Sequence, residues 1–413
     1  MSVISLLTVD GDRLNHNLDT LAEIGKLPRG GVRRISFSPE DQLARHLVAN
    51  WMREAGMSVR TDAAGNIIGT YPGKAALPAF ATGSHIDTVP SAGRYDGTLG
   101  VLAGIEVVRT LNENNITLNH PIEVIVFTDE EGSMIGSKAM TGSMKPDPDA
   151  YHRKDGTSIQ TCLEVIEGDW ETLHTAQRTS DEIAAFIELH VEQGGVLEAT
   201  GTQIGVVEGI VSLNRFTITV LGRPNHAGTT PMHARQDALV AASHIVLAVE
   251  DLAKNSPGDQ VATVGMLNVL PNAANIVPGQ VDLSLDIRDL SQEHADSLVA
   301  QLKQRLKQIA EQTGTTITVE QLLRVEPTLA KPRIQRAIAQ IAQDFGLSYC
   351  MLPSRAGHDA QEIGRFTDMG MVFVPSIGGI SHAEDEYTSP EQCTQGANIL
   401  LNAFMRLDDE YTS

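Results

Sequence analysis

Three consecutive carboxylates, Asp129, Glu130 and Glu131, lie in the segment "TDEEG", which directly follows the apolar segment "PIEVIVF". Such an apolar run is typical of a buried strand, so the three acids are predicted where that strand ends. They either form a solvated turn or face a positively charged group. Histidines elsewhere in the chain favour the second interpretation.

Four further segments place histidines where the pattern predicts the end of a strand or a turn rich in glycine and proline. They are "GSHIDTVPSAGRYDG" with His85, Asp87 and Asp96, "ELHVEQGG" with His190, "GRPNHAGTTPMHARQD" with His226, and "GGISHAEDEY" with His382. Taken singly, each histidine could be a surface group or a local hydrogen-bond partner. Functional groups of open α/β sheets gather beyond the carboxyl ends of the strands. The set as a whole therefore predicts one site.

Histidines combined with carboxylates indicate metal chemistry. Two or three histidines with two carboxylates suit a borderline-soft divalent ion such as zinc, and manganese or nickel are also compatible. Two carboxylates can have different roles, in which one bridges two ions and the other binds a single ion. Such a pair fits a hydrolytic site whose two ions lie about 3.5–4 Å apart.

The elements that must position these residues alternate between helix and strand patterns, which predicts an α/β fold. One helix start is predicted at Ser38 as N-cap, with Pro39 in the first helical position and Asp41 completing a capping box. From about residue 212 the order becomes β-α-β-β-α-β, a ferredoxin-like unit. We therefore expect a mixed-sheet α/β catalytic domain of residues 1–211 and 329–413, with residues 212–328 inserted between its halves.

Size and charge restrict the classes of function. A chain of 413 residues favours two domains. The net charge of −21 argues against nucleic acid or an anionic membrane surface as partner, and no segment reaches about 18 apolar residues. Three cysteines are too few for a disulfide framework and predict a reducing compartment. We expect a cytoplasmic protein that acts on a small molecule.

The ordered motifs "GSHIDTV", "EEGS", "ELHVEQG", "NHAGTTPM", "PNAANIVPG", "AGHDA" and "SHAEDE" cover nearly the whole chain. They resemble the amidase, hydantoinase/carbamoylase family of the dinuclear aminoacylase-like metallopeptidases, which includes N-carbamoyl-L-amino-acid hydrolases, β-ureidopropionase and allantoate amidohydrolase. The resemblance implies two divalent ions per subunit, Zn²⁺ or Mn²⁺, with Ni²⁺ and Co²⁺ as alternatives. It places one ion on His85, Asp96 and His190 and the other on Asp96, Glu131 and His382, with Asp96 as the bridge.

The resemblance also implies roles for the residues around the ions. Asp87 orients His85 through the other ring nitrogen. Glu130 is the general base, which takes a proton from a water whose pKa the metals lower towards about 7 and delivers it to the leaving nitrogen. His226 stabilises the oxyanion. The further substrate-binding residues are Gln193, Asn275, Arg288, Gly357 and His358.

For Arg288 the residues alone leave two interpretations open. A planar guanidinium is well matched to a substrate carboxylate, and a salt bridge with Asp286 or Asp289 at a strand edge is equally compatible. The resemblance further implies a homodimer in which some of these groups reach the site from the partner subunit. The second domain would then serve as lid and dimer interface.

The predicted activity is hydrolysis of the carbamoyl C–N bond of an N-carbamoyl-L-amino acid to amino acid, CO2 and ammonia. Allantoate and then β-ureidopropionate are the alternative substrates, and a dipeptidase or aminoacylase is a more distant alternative. A catalytically inactive binding protein is disfavoured because all five metal positions and Glu130 are present. Two departures from the family pattern bear on specificity: a short loop after Gly132, and Arg355 where a small residue is common.

Overall fold

The computed structural model describes residues 6–151, 153 and 155–412. The chain divides into a first unit, Met1–Gly209 with Leu329–Ser413, and a second unit, Ile210–Thr328. None of the helices in the described part of the chain is long and apolar enough to cross a membrane.

The strands in chain order are β1 Ser58–Thr61, β2 Ile67–Tyr71, β3 Ala79–His85, β4 Ile122–Phe127, β5 Ile183–Val191, β6 Ile204–Ile210, β7 Leu213–Leu221, β8 Asn225–His226, β9 Val261–Thr263, β10 Leu267–Leu270, β11 Ile276–Val277, β12 Gln280–Arg288, β13 Thr316–Val325, β14 Thr328–Leu329, β15 Tyr349–Ser354 and β16 Asp368–Val374. The α-helices are α1 Gly11–Ala22, α2 Pro39–Glu54, α3 Thr98–Glu113, α4 Ile135–Thr141, α5 Ile159–Glu164, α6 Val196–Thr200, α7 Ala238–Asn255, α8 Gln292–Thr313, α9 Pro332–Asp344, α10 Asp359–Ile363 and α11 Pro390–Thr412.

A nine-stranded mixed sheet organises the first unit in the order β1-β2-β4-β3-β5-β16-β6-β14, with β15 paired to β6. The four central strands β4, β3, β5 and β16 run parallel, and β2 and β6 flank them in antiparallel pairing. Every residue of β3 and β4 is buried, as expected for parallel strands covered on both faces. The carboxyl ends of four strands therefore meet at one edge, and the predicted mixed α/β architecture is confirmed.

In two helices of the first unit, the local sequence explains where the helix starts. Helix α2 begins as predicted, with the Ser38 side chain accepting from the Asp41 N–H and Pro39 in the first turn. The Asp41 carboxylate accepts from the N–H of Phe37, one residue before the cap, so the reciprocal bond is shifted from the predicted one. Helix α3 is buried along most of its length and begins at Gly97, which has a φ of 66°.

The second unit is built on an antiparallel sheet in the order β10-β12-β7-β13, with β9 also on β12. Buried and partly exposed residues alternate along β12, and the buried residues of this strand belong to a core shared with α7 and α8. One face of the sheet is thus apolar and the other polar, as is common for antiparallel sheets. A two-stranded ribbon of β8 and β11 completes the unit. The ferredoxin-like assignment and the lid function stay predictions.

Candidate metal centre

The predicted ligands lie at the edge where the four parallel strands end. His85 is the last residue of β3, and His190 is the last but one of β5. The acids Glu130 and Glu131 follow β4, and His382 lies in the segment after β16. Asp96 immediately precedes Gly97, the N-cap of α3. Parallel pairing of these strands explains why residues far apart in sequence converge.

Asp96 is the geometric centre of the site. Its Oδ1 lies 3.6 Å from Nε2 of His85 and 3.2 Å from Nε2 of His190. Its Oδ2 lies 3.3 Å from Nε2 of His382, which is also 3.3 Å from Oε1 of Glu131. The ligand atoms of His85, Asp96 and His190 lie within 4.8 Å of one another, and so do those of Asp96, Glu131 and His382. The structure thus brings together both predicted ligand sets, with Asp96 in each.

In the described part of the chain, two further groups of ligand atoms lie equally close together. One joins His85, Glu130 and Glu131, and the other joins Glu188, His190 and His358. Oε2 of Glu130 lies 3.6 Å from Nε2 of His85. By distance alone Glu130 could therefore hold an ion, so its assignment as the base stays a prediction that metal analysis of variants can test.

The ring nitrogens of the two buried histidines are arranged as a metal would require. Nδ1 of His85 lies 2.9 Å from the main-chain oxygen of Asp87, and Nδ1 of His190 lies 2.9 Å from that of Val191. A carbonyl oxygen only accepts, so each Nδ1 carries a proton, and Nε2 is the ring nitrogen left to face Asp96. Metal-bound histidines commonly donate their other ring N–H in this way.

An unsatisfied carboxylate oxygen supports the same conclusion. Oε1 of Glu131 is buried and accepts no hydrogen bond from the residues that the structure describes. A buried carboxylate oxygen without a donor is costly unless a cation binds it. The residues present therefore fit a divalent metal ion.

Burial and neighbouring charge set the pKa values of the acids. Burial would raise the pKa of Asp96, but contacts with His190, His382 and His85 lower it well below its usual value. Burial raises the pKa of Glu130 well above its usual value, with His85 opposing and other carboxylates adding to the effect. Burial also raises the pKa of Glu131. Such crowding of acids favours positive charge at the centre.

Asp87 contacts His85 at Nδ1, the ring nitrogen that does not face Asp96, through its main-chain oxygen. Its main-chain oxygen holds Nδ1 of His85 at 2.9 Å, whereas its carboxylate is 3.8 Å away. The carboxylate instead accepts from the Ser36 hydroxyl at 2.7 Å and from the N–H of Glu131 at 3.2 Å. Asp87 thereby ties the His85 turn to the acidic turn after β4.

Glu386 and Ser381, which the sequence reasoning did not single out, fix the position of Asp96. Oε1 of Glu386 accepts from the N–H groups of Tyr95 and Asp96 at 3.0 and 3.1 Å. The Ser381 hydroxyl lies 3.1 Å from Oδ2 of Asp96. Burial and the nearby Asp96 charge raise the pKa of Glu386 to about 7. The signal was present, since both residues belong to the "SHAEDE" motif.

The predicted residues Gln193, Gly357 and His358 lie around the centre in different ways. Nε2 of Gln193 donates to Oδ2 of Asp96 at 3.0 Å. His358 packs edge-on against the His190 ring, with centroids 4.6 Å apart, and its Nε2 lies 2.8 Å from the Ser354 hydroxyl. Burial lowers the pKa of His358 well below its usual value, so the ring is neutral. Gly357 is the exposed residue just before it.

Three non-glycine residues beside the centre have left-handed backbone conformations. The φ angles are 57° at Asp129, 57° at Gln193 and 54° at His382. Such conformations are unfavourable for residues with a Cβ and cluster at functional sites. At Asp129 the turn is held by its own carboxylate, which accepts from the N–H and hydroxyl of Ser133 at 3.0 and 2.6 Å.

In the second unit the structure brings His226 and Asn275 together. His226 pairs with Ile276 in the β8–β11 ribbon, and the N–H of Ala227 donates to the main-chain oxygen of Asn275 at 2.9 Å. Nδ1 of His226 accepts from the N–H groups of Gly228 and Thr229 at 3.0 and 3.2 Å. Its proton is therefore on Nε2, which is the form that donates to an oxyanion.

Arg288 lies away from this pair. It is the last residue of β12, a strand about 26 Å long whose first residue, Gln280, follows the ribbon strand β11 in sequence. Nε of Arg288 donates to Oδ1 of Asp286 at 2.9 Å, so the strand-edge salt bridge considered from sequence is formed. Arg288 therefore lies at the end of β12 that is remote from the ribbon strand β11.

Comparison with known proteins identifies the family. The model of the family described as "Peptidase family M20/M25/M40" matches residues 81–406. The chain belongs to this family. The chain is 39% identical over 405 residues to an N-carbamoyl-L-amino acid amidohydrolase of Geobacillus stearothermophilus. The match covers 97% of this chain and 99% of the relative. The chain is 35% identical over 398 residues to an allantoate amidohydrolase of Bacillus subtilis (strain 168), covering 94% and 96%.

A solved structure supports the same placement. The crystal structure of an amidase of the hydantoinase/carbamoylase family from Burkholderia multivorans superposes on this M20/M25/M40 member with a TM-score of 0.91 at 36% identity. The match covers 97% of this chain and 98% of the crystallised one. The predicted resemblance is confirmed, and the protein is an amidohydrolase, a hydrolase acting on C–N bonds.

Proposed function

We propose that this protein is a metal-dependent amidohydrolase that cleaves the carbamoyl C–N bond of N-carbamoyl-L-amino acids to amino acid, CO2 and ammonia. The observation that carries this proposal is the convergence of His85, His190, His382 and Glu131 on Asp96 at one edge of the sheet. The full-length likeness to a relative named N-carbamoyl-L-amino acid amidohydrolase supports the choice of substrate class.

Two divalent ions are the proposed cofactors. His85, Asp96 and His190 would hold one, and Asp96, Glu131 and His382 the other. Imidazole and carboxylate ligands suit Zn²⁺ or Mn²⁺, with Ni²⁺ and Co²⁺ as alternatives. When bound, such ions polarise the ureido carbonyl and acidify water.

Glu130 is the proposed general base. Its carboxylate lies beside the centre and its pKa is raised by burial, a change that suits a group that must both accept and return a proton. It takes a proton from the water that attacks the ureido carbon. It then gives that proton to the nitrogen that leaves as the C–N bond breaks.

Substrate recognition is assigned to the second unit. Nε2–H of His226 donates to the oxygen of the ureido carbonyl as negative charge develops there. Asn275 and Arg288 hold the substrate carboxylate, and the guanidinium offers two parallel N–H donors to it. Arg288 must then exchange part of its pairing with Asp286 for the substrate.

The position of Arg288, at the end of β12 remote from the ribbon strand β11, favours a homodimer. A substrate of a few ångströms cannot contact both ends of β12 from one chain. We infer that one subunit contributes Arg288 and its partner contributes His226 and Asn275, with the ferredoxin-like second unit as lid and dimerisation domain. Mixing His226→Ala with Arg288→Ala subunits should restore activity, because each hybrid dimer has one intact site. Absence of restoration in a verified hybrid would contradict the shared site.

A substrate panel tests the proposed reaction. The purified protein, stripped with a chelator and reloaded with each metal, should release ammonia from N-carbamoyl-L-amino acids. Allantoate is the second candidate because of the likeness to the Bacillus subtilis relative, and β-ureidopropionate is the third. Turnover of N-acetyl amino acids or dipeptides, without turnover of any ureido compound, would contradict the proposal in favour of an aminoacylase or dipeptidase. A cytoplasmic location stays a prediction.

A further inference from the structure

A cavity of about 790 Å³ lies in the first unit next to the candidate metal centre. Asp87 and Glu131 form part of its wall, so the cavity adjoins the metal centre. Its volume is in the range of pockets that take small ligands. Among the residues of the wall that the structure describes, the cationic ones are Arg33, Lys138, Lys145 and Arg153.

The acids in this wall already have partners. The Asp87 carboxylate is held by Ser36 and by the N–H of Glu131. Asp129 is held by Ser133 and lies 3.6 Å from Arg153, which it neutralises. Glu131 faces the metal centre. The fourth acid, Asp155, accepts from the N–H of Thr157.

Three cations of the wall are left without a matching acid. Among the residues that the structure describes, none forms an ion pair with the side chain of Arg33, Lys138 or Lys145. Lys138 is half-buried and donates to the main-chain oxygen of Ser133 at 2.7 Å. Burial lowers its pKa, which shows that the ammonium loses hydration there.

The acid on the other side of Lys138 is also engaged. Glu362 of α10 pairs with Arg365 at 3.2 Å and accepts from the Ser143 hydroxyl at 3.0 Å. A half-buried ammonium that lacks an ion-pair partner and lines a cavity is well placed to bind an anion. Arg33 and Lys145 are exposed beside this half-buried Lys138, and a grouping of three cations without ion pairs is not what the composition of a chain of net charge −21 would produce.

We propose that this cavity is an anion subsite that binds the side-chain carboxylate of an acidic N-carbamoyl amino acid. The inference rests on the function proposed above and narrows its substrate class to N-carbamoyl derivatives of dicarboxylic amino acids. The ureido group lies at the metal centre, and the side chain extends past Glu131 towards Lys138, Lys145 and Arg33.

Matched substrates test this subsite. N-carbamoyl-L-glutamate and N-carbamoyl-L-glutamine have nearly the same shape and differ in one charge. The unmodified enzyme should have the higher kcat/KM for the glutamate compound. Lys138→Met should lower kcat/KM for that compound by about tenfold or more, since a charge-assisted hydrogen bond is lost, and leave the glutamine compound unaffected. Lys145→Met, at an exposed position that cannot disturb packing, should give a smaller loss of the same selectivity.

Lys74→Met is the control, because it removes one exposed cation of the first unit outside the cavity. Equal kcat/KM for the two substrates in the unmodified enzyme would overturn the subsite. So would equal losses in Lys138→Met and Lys74→Met, or a Lys145→Met variant that keeps full selectivity. Failure of the enzyme to hydrolyse any N-carbamoyl compound would instead overturn the proposed function. The subsite would then be tested with N-acetyl-L-glutamate and N-acetyl-L-glutamine in the same variants.

Discussion

The candidate metal centre of the first unit and the predicted recognition residues of the second differ in how they are built. His85, Asp96 and His190 are at most 5% exposed and contact one another across three strands or their loops. His226 and Asn275 lie exposed on a two-stranded ribbon, and Arg288 lies at the far end of the sheet. A buried, mutually bonded cluster is pre-organised for metal, whereas the exposed residues need a second surface to form a pocket.

The largest expected effect belongs to the centre of the cluster. Asp96→Asn keeps the side-chain shape but removes the charge that both predicted ligand sets share, so we expect loss of bound metal and of all measurable turnover. Metal content per chain and kcat/KM measure this. Asp19→Asn is the control, since Asp19 is an exposed acid paired with Arg94. Retention of two ions by Asp96→Asn would contradict the bridging assignment.

The second largest effect is expected at the two neighbouring glutamates, Glu130 and Glu131, whose substitutions should have different consequences. Glu130→Gln should keep the metal content and lower kcat by about 10²–10⁴-fold, because proton transfer is lost. Glu131→Gln should lower the metal content itself, because its oxygen is a predicted ligand. If Glu130→Gln loses an ion and Glu131→Gln does not, the two roles are reversed, an outcome that the proximity of Glu130 to His85 allows.

Local sequence patterns were enough to predict individual helices and strands. "IEVIVFT" and "IAAFIELH" are found as β4 and β5, and Ser38 with Pro39 begins α2. Continuous apolar runs identify parallel strands because both faces are covered. Acids and histidines at the ends of such runs indicated where a site would lie, and the family resemblance then selected the ligand residues among them.

What the sequence could not supply is which atom of a residue makes a contact and how far apart two residues lie. Asp87 holds His85 through its main-chain oxygen, which every residue type has. Glu386 acts on the N–H groups of Tyr95 and Asp96, almost 300 residues earlier in the chain. The distance between Arg288 and His226 depends on the direction of β12, which its alternating pattern does not encode.

The third largest effect on turnover is expected from a substitution in the exposed ribbon of β8 and β11. His226→Ala should lower kcat by about 10²–10³-fold through loss of the oxyanion donor, with metal content unchanged. His233→Ala, another exposed histidine nearby in sequence, is the matched control. A loss of metal in His226→Ala would show that the two regions are not independent.

Arg288→Ala should have a smaller effect, confined mainly to binding. We expect KM for carboxylate substrates to rise about tenfold to a hundredfold, as for loss of a charge-assisted bond. Arg215→Ala removes the other partner of Asp286, which lies 3.1 Å away. Equal changes in KM for the two variants would assign Arg288 to the salt bridge alone.

The smallest effect is expected at Glu386, which holds Asp96 in position by accepting from its main-chain N–H. Glu386→Gln keeps one acceptor oxygen, so metal affinity should fall only about tenfold, with KM unchanged. Competition with a chelator measures the affinity. The neighbouring Glu384→Gln serves as control, and equal affinities in the two variants would remove the positioning role of Glu386.

Asp96 is proposed to join two ion sites at one edge of the sheet. Stepwise addition of Mn²⁺ or Zn²⁺ to the chelator-treated protein, with bound metal counted per chain and turnover measured at each step, tests it most directly. We expect the ions to bind until two are held per chain, and turnover to appear only as they bind. Full turnover by the metal-free protein, or saturation at one ion per chain, would contradict it.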